Sequence, residues 1–217
     1  MSEFYAAIAG AVVGGIIAFV IQMFAIRQAS SERKEGAKNL ERTLATQILL
    51  NLQEATSNIR RIREMCVEAI AGAKALHFDQ EPWRALLPVS NLPSEIQFNL
   101  DQFEYLFINA DSELFMDVRD LEVIHNSAIK SFNKYCLKRE ELGKILPGQV
   151  TNMIAETLMS EASSGLAQVA IADLASLARA ICSNSERDAS ECVQTLQKYC
   201  QYYNNLGGKT VSFAITA

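Results

Sequence analysis

The sequence predicts an all-α protein: an N-terminal single transmembrane helix that continues into a cytoplasmic antiparallel helical bundle of four to five helices. Three observations carry this expectation. Residues 4–26 hold no Asp, Glu, Lys, Arg, His or Pro. The remainder repeats apolar residues three and four apart over long stretches, the period of a helix with one buried face. Only four prolines and ten glycines interrupt 217 residues, and Pro82, Pro88 and Pro93 crowd into one interval, leaving long segments free of helix breakers. The length suits one domain with an appendage. The chain divides into an anchor (1–26), a charged joint (27–42), a bundle (43–206) and a C-terminal tail (207–217).

The anchor comes first. Its run of about 23 residues spans roughly 35 Å as a helix, enough to cross a bilayer core of about 30 Å with some tilt. The glycines in "AIAGAVVGGIIAFVIQ" do not form a phosphate loop, because Gly15 is followed by Ile16, Ile17 and Ala18 instead of a Lys-Ser/Thr pair. Only Ser2 and Glu3 stand between Met1 and the apolar run, unlike the positive start of a secretory leader. An uncleaved span is therefore expected. Arg27, Arg33, Lys34, Lys38 and Arg42 follow it, so the positive-inside rule places the inner membrane span with its N-terminus outside and the C-terminal domain in the cytoplasm. These bases can also meet anionic headgroups, although Glu32, Glu35 and Glu41 dilute the attraction. Within the span, Ala6, Gly10, Gly14 and Ala18 recur every four residues. Such a small-residue face lets two helix backbones approach, so a homo-oligomer is expected.

Past the joint, Leu44, Ile48, Leu52, Ala55, Ile59, Ile62, Cys66, Ala69 and Ala73 keep the helical period, predicting one helix from about Phe4 to His77. The proline-rich interval follows as a loop, with Trp83, Leu86, Leu87 and Val89 capping the helical core. A second helix is expected over 94–109, a third over 112–142 and, after the break at "ILPGQ", a fourth over 150–182. A fifth is expected from Ser185, where "SERD" resembles a capping box, to Gly207 and Gly208. The tail "KTVSFAITA" alternates Val211, Phe213 and Ile215, a strand-like period suited to docking on the bundle or adding to a partner's sheet.

Signals of chemistry are sparse. Glu122 and His125 form one Glu-x-x-His pair, but the position that would complete a second pair before His77 is Lys74, so a di-iron carboxylate centre is not expected. His77, Asp79 and Glu81 alternate in a loop, where such groups usually face solvent. Cys66, Cys136, Cys182, Cys192 and Cys200 contain no Cys-x-x-Cys and are odd in number, which in a reducing compartment reads as free thiols. No hydrolase, metalloprotease, phosphate-loop or kinase signature occurs. The expectation is a protein without metal or cofactor, and not an enzyme.

A net charge of −5 argues against nucleic acid as a partner. The charges are unevenly placed: Glu95, Asp101, Glu104, Asp111, Glu113, Asp117, Asp120 and Glu122 face only Arg119 as an opposing charge in that interval. Within the third helix, acids near the start and Lys130, Lys134, Lys138, Arg139 and Lys144 further on suit the helix dipole. The same acids can instead form a surface for a basic protein partner or for divalent cations. The sequence thus points first to a membrane-anchored interaction, scaffolding or signalling protein. Two other readings stand beside it: a membrane-perturbing effector of toxin or phage-defence type, and an enzyme whose site is assembled from scattered residues.

Overall fold

The structure is a computed structural model that describes the backbone of residues 2–77, 81–89, 91–145, 149–151, 154–156 and 161–206. It describes the side chains of residues 19, 21–77, 81–89, 91–144, 165 and 167–206. The order is α1 (Ser2–Ala75), a 3-10 turn (Pro82–Arg84), α2 (Leu100–Asn109), α3 (Ser112–Ile145), β1 (Gln149–Thr151), β2 (Ile154–Glu156) and α4 (Glu161–Asn205). Four α-helices dominate, as the helical periodicity predicts.

The chain forms two compact units, Met1–Thr46 and Gln47–Ala217. The first is the N-terminal part of α1. Among its described side chains Phe19, Ile21, Phe24 and Ile26 are exposed apolar groups, and Arg27, Arg33, Lys34, Lys38 and Arg42 are exposed as well. Among the described residues no helix is long and apolar enough to cross a membrane. Most of the expected span, with Ala6, Gly10, Gly14 and Ala18, lies outside the residues whose side chains are described.

The second unit is built on seven-residue seams. Along α1, Ile48, Leu52, Ala55, Ile59, Ile62, Cys66, Ala69 and Ala73 are buried, alternating steps of three and four that hold one stripe against neighbouring helices. Leu114, Val118, Leu121, His125, Phe132 and Tyr135 do the same on α3, and Leu174, Ala178, Ile181, Ser185, Cys192 and Tyr199 on α4. Cross-helix bonds fix the directions. Thr56 lies opposite Cys192 (Oγ1 to carbonyl, 3.3 Å) and Arg63 opposite Glu186 (2.5 Å), so α1 and α4 are antiparallel. Lys198 pairs with Asp117 (2.7 Å) and Lys138 with Asp173 (2.9 Å), so α3 and α4 are antiparallel too.

The second arm of the bundle is mostly not a helix. After α1 the chain returns along α3 as an irregular segment before closing with α2. The helix expected over 94–109 begins only at Leu100, for a local reason. Asn126 of α3 takes both backbone groups of Ile96, accepting from its N–H at 3.0 Å and donating to its carbonyl at 2.7 Å. Asn99 and Gln102 then close a reciprocal capping box, each bond 2.9 Å long, which starts α2. Of the expected core caps in this segment, Leu86 is buried and Leu87 is exposed.

The fourth and fifth predicted helices are one. α4 runs unbroken through "SERD", and Ser185 is a mid-helix residue whose hydroxyl bonds back to the Cys182 carbonyl at 2.9 Å. Ser183 does the same to Ala180 at 3.1 Å. Back-bonded hydroxyls do not compete with the helix ladder, and no proline or glycine lies between Gly165 and Gly207 to stop it. The predicted start at 150 is also corrected: β1 and β2 pair antiparallel there, with Val150 opposite Ala155, and α4 starts at Glu161. The tail 207–217 lies outside the described residues.

Candidate functional site

A mainly apolar groove of about 280 Å³ lies between α3 and α4. Ile59 and Ile62 of α1 form its floor, Ser127 and Ala128 one wall, Leu177 and Ala180 the other. It exists because the return arm packs near α3 residues 126–139 and covers that side of the bundle, while small side chains on α3 and α4 leave the opposite seam unfilled. A more polar depression adjoins it, lined by Asp117, Asp120, Glu191, Gln194, Thr195 and Lys198, and shares Ile124 with it. The first cavity can seat a row of apolar side chains. Neither holds a constellation for bond-making chemistry, and among the described residues no group of three or more His, Cys, Asp or Glu side chains could hold a metal.

The structure distributes the acidic candidates over different neighbours. Glu113 and Asp117 converge on Lys198 of α4, at 2.6 and 2.7 Å, and Asp120 lines the polar depression next to them. The twofold partnership raises the Lys198 ammonium well above its ordinary range, through the hydrogen bonds to Asp117 and then Glu113. Glu95 instead meets Lys130 at 3.0 Å. Glu122 lies under the return arm, where burial pushes its carboxyl up against the opposing bond from the Phe98 backbone. Asp111 caps α3, its Oδ1 accepting from Leu114 N at 2.7 Å. Asp101 and Glu104 are exposed on α2.

His125 is a structural histidine. It is completely buried, with Nε2 3.2 Å from Asn58 Nδ2 and Nδ1 2.9 Å from Asn126 Oδ1. An amide nitrogen can only donate, so Nε2 accepts and Nδ1 carries the proton toward Asn126. The ring is neutral, and burial lowers its pKa from 6.5 against the raising influence of Asn126, Glu54 and Glu95. His125 therefore orients the asparagine that holds Ile96. Glu122 and His125 are not a ligand pair.

A second clamp holds the start of the return arm. The fully buried Tyr135 places its hydroxyl 2.6 Å from the Leu86 carbonyl and 3.1 Å from that of Trp83. Arg139 donates to the Leu86 carbonyl at 2.8 Å and to Tyr135 at 2.7 Å. Burial pushes the Tyr135 phenol above its ordinary range, opposed by Arg139. Sequence reasoning missed Asn58 and Asn126, and read Arg139 only as one of the bases that suit the dipole of the third helix. The available signal was polar residues falling on or beside a helix seam, where they demand partners. His77 ends α1 with a φ of 61°, a left-handed position that suits a helix stop, and its side chain is exposed.

Comparison of the chain with protein-family models, with curated proteins and with solved structures gives no match.

Proposed function

We propose that this chain is a single-pass, membrane-anchored interaction protein that assembles with copies of itself. The uncharged run from Phe4 to Ile26, followed by five bases within 16 residues, is the observation that carries the reading. The four-residue repeat of Ala6, Gly10, Gly14 and Ala18 supports self-association inside the bilayer. The groove between α3 and α4 supports a second, weaker contact, in which a helix of another copy lays apolar side chains over Ile59 and Ile62. Tethering in a membrane raises the effective concentration of neighbouring bundles, so a shallow groove suffices. The sparse chemistry of the described residues favours binding over catalysis.

Native electrophoresis of crosslinked membranes tests this reading. The wild type is expected to run as a defined oligomer, Gly10→Ile with Gly14→Ile to fall mainly to monomer, and Ala180→Arg, placed in the groove wall, to weaken the assembly several-fold. A monomeric wild type overturns the proposal. Depolarisation of cells on expression would move the reading to the membrane-perturbing effector.

A further inference from the structure

Cys66 of α1 and Cys182 of α4 face each other across the helix seam, 1% and 9% exposed. Their register follows from two contacts on one side of the pair: Thr56 reaches the Cys192 carbonyl at 3.3 Å, and Arg63, less than one turn before Cys66, meets Glu186 at 2.5 Å. Antiparallel helices in that register bring residue 66 opposite residue 182. Ser185 stands beside them, its hydroxyl donating to the Cys182 carbonyl at 2.9 Å.

The two sulfurs are unequal. The neighbouring Cys66 and then burial push Cys182 above the ordinary thiol range, whereas Cys182 holds Cys66 below it against burial. Cys192, by contrast, is pushed up to about 12 by burial, and Cys200 is raised by the same cause. A buried thiol without donors is inert, whereas one whose thiolate is hydrogen-bonded and near solvent is a nucleophile. The groove between α3 and α4 comes within one helical turn of the pair. Ile62, one turn before Cys66, Ile181, next to Cys182, and Ser185 all line it.

We propose that Cys66 and Cys182 are an oxidative modification site, at which hydrogen peroxide converts the two facing thiols into a disulfide that ties α1 to α4. The Cys66 thiolate attacks one peroxide oxygen. A sulfur–oxygen bond forms, the oxygen–oxygen bond breaks, and the departing hydroxide takes up the proton that Cys66 released on ionising and leaves as water. Cys182 then attacks the resulting sulfenic sulfur. The sulfur–sulfur bond forms, the sulfur–oxygen bond breaks, and the second hydroxide leaves with the Cys182 proton as another water. Two thiols are oxidised to one disulfide while one peroxide is reduced to two waters. The new bond lies directly behind the groove and fixes the helix that forms its floor against the helix that forms one wall.

The test uses the full chain in detergent micelles, reduced, freed of thiol and exposed to hydrogen peroxide, then alkylated and mapped by mass spectrometry. The expected first product is a peptide pair joined through Cys66 and Cys182. The oxidised protein should have a higher thermal midpoint than the reduced one, since the link restrains the unfolded chain, and thiol treatment should reverse the shift. In Cys182→Ala the reaction stops one step earlier, and a dimedone-type probe is expected to label Cys66 as the sulfenic acid. The proposal is overturned if Cys136 or Cys200 oxidises while Cys66 and Cys182 stay alkylatable, if Cys66 goes directly to sulfinic or sulfonic acid, or if the wild type yields another pairing. The wild-type map decides the matter even where the variant fails to fold.

Discussion

His125 shows how a single side chain can decide local backbone structure. Neutral, it accepts from Asn58 and donates to Asn126, and Asn126 in turn holds both backbone groups of Ile96. Protonation removes the acceptor and places a charge in the seam. Because burial lowers the folded pKa below 6.5, the unfolded chain binds the proton first as pH falls. Stability is then complete above the ordinary histidine range and declines as pH drops through it, until the folded ring also protonates. Glu122 acts in the opposite sense, its raised carboxyl favouring the folded state at lower pH. Between about pH 7.5 and 5.5 the urea midpoint of the wild type should therefore fall. His125→Gln, less stable by about 1–3 kcal/mol at neutral pH, should show a flatter profile. A wild-type profile as flat as the variant's would show that the ring does not titrate as its burial requires.

At the scale of elements, α4 marks what local sequence could not reveal. "SERD" has the residues of a capping box, yet Ser185 lies in the seam and its hydroxyl satisfies itself on the preceding turn. Burial of Ile181, Cys182, Ala189 and Cys192 on one stripe overrides the local preference. Glu186→Pro separates the two readings. At the first position of a new helix, proline is tolerated. Inside a continuous helix it removes a ladder bond and costs about 3 kcal/mol or more, and this larger loss in urea unfolding is the expected result. The long helices were legible because their seams are apolar and regular, as Ile48 to Ala73 on α1 and Leu114 to Tyr135 on α3 show. The return arm was not, since its path is set by side chains far away in sequence: Asn126 on Ile96, and Tyr135 and Arg139 on Leu86. The groove was equally hidden, because it is an absence of side-chain volume between α3 and α4. Cys66 and Cys182 were visible as thiols, but only the register of α1 on α4 brings them together.

For the whole molecule, the composition average conceals a division of labour. A mean hydropathy of +0.06 combines an apolar N-terminal run with a bundle whose surface carries most of the charge. The proposed account joins a span that anchors and pairs, a bundle with an open groove, and a thiol pair behind that groove. All of it depends on the N-terminal run entering a bilayer. The most direct measurement is retention of the full chain in membranes after an alkaline carbonate wash, beside a variant with Val13→Arg and Ile17→Arg. Two arginines near the middle of a span cost about 5–7 kcal/mol of insertion, so the wild type is predicted to stay in the membrane pellet and the variant to appear in the supernatant. Release of the wild type into the supernatant would contradict the account.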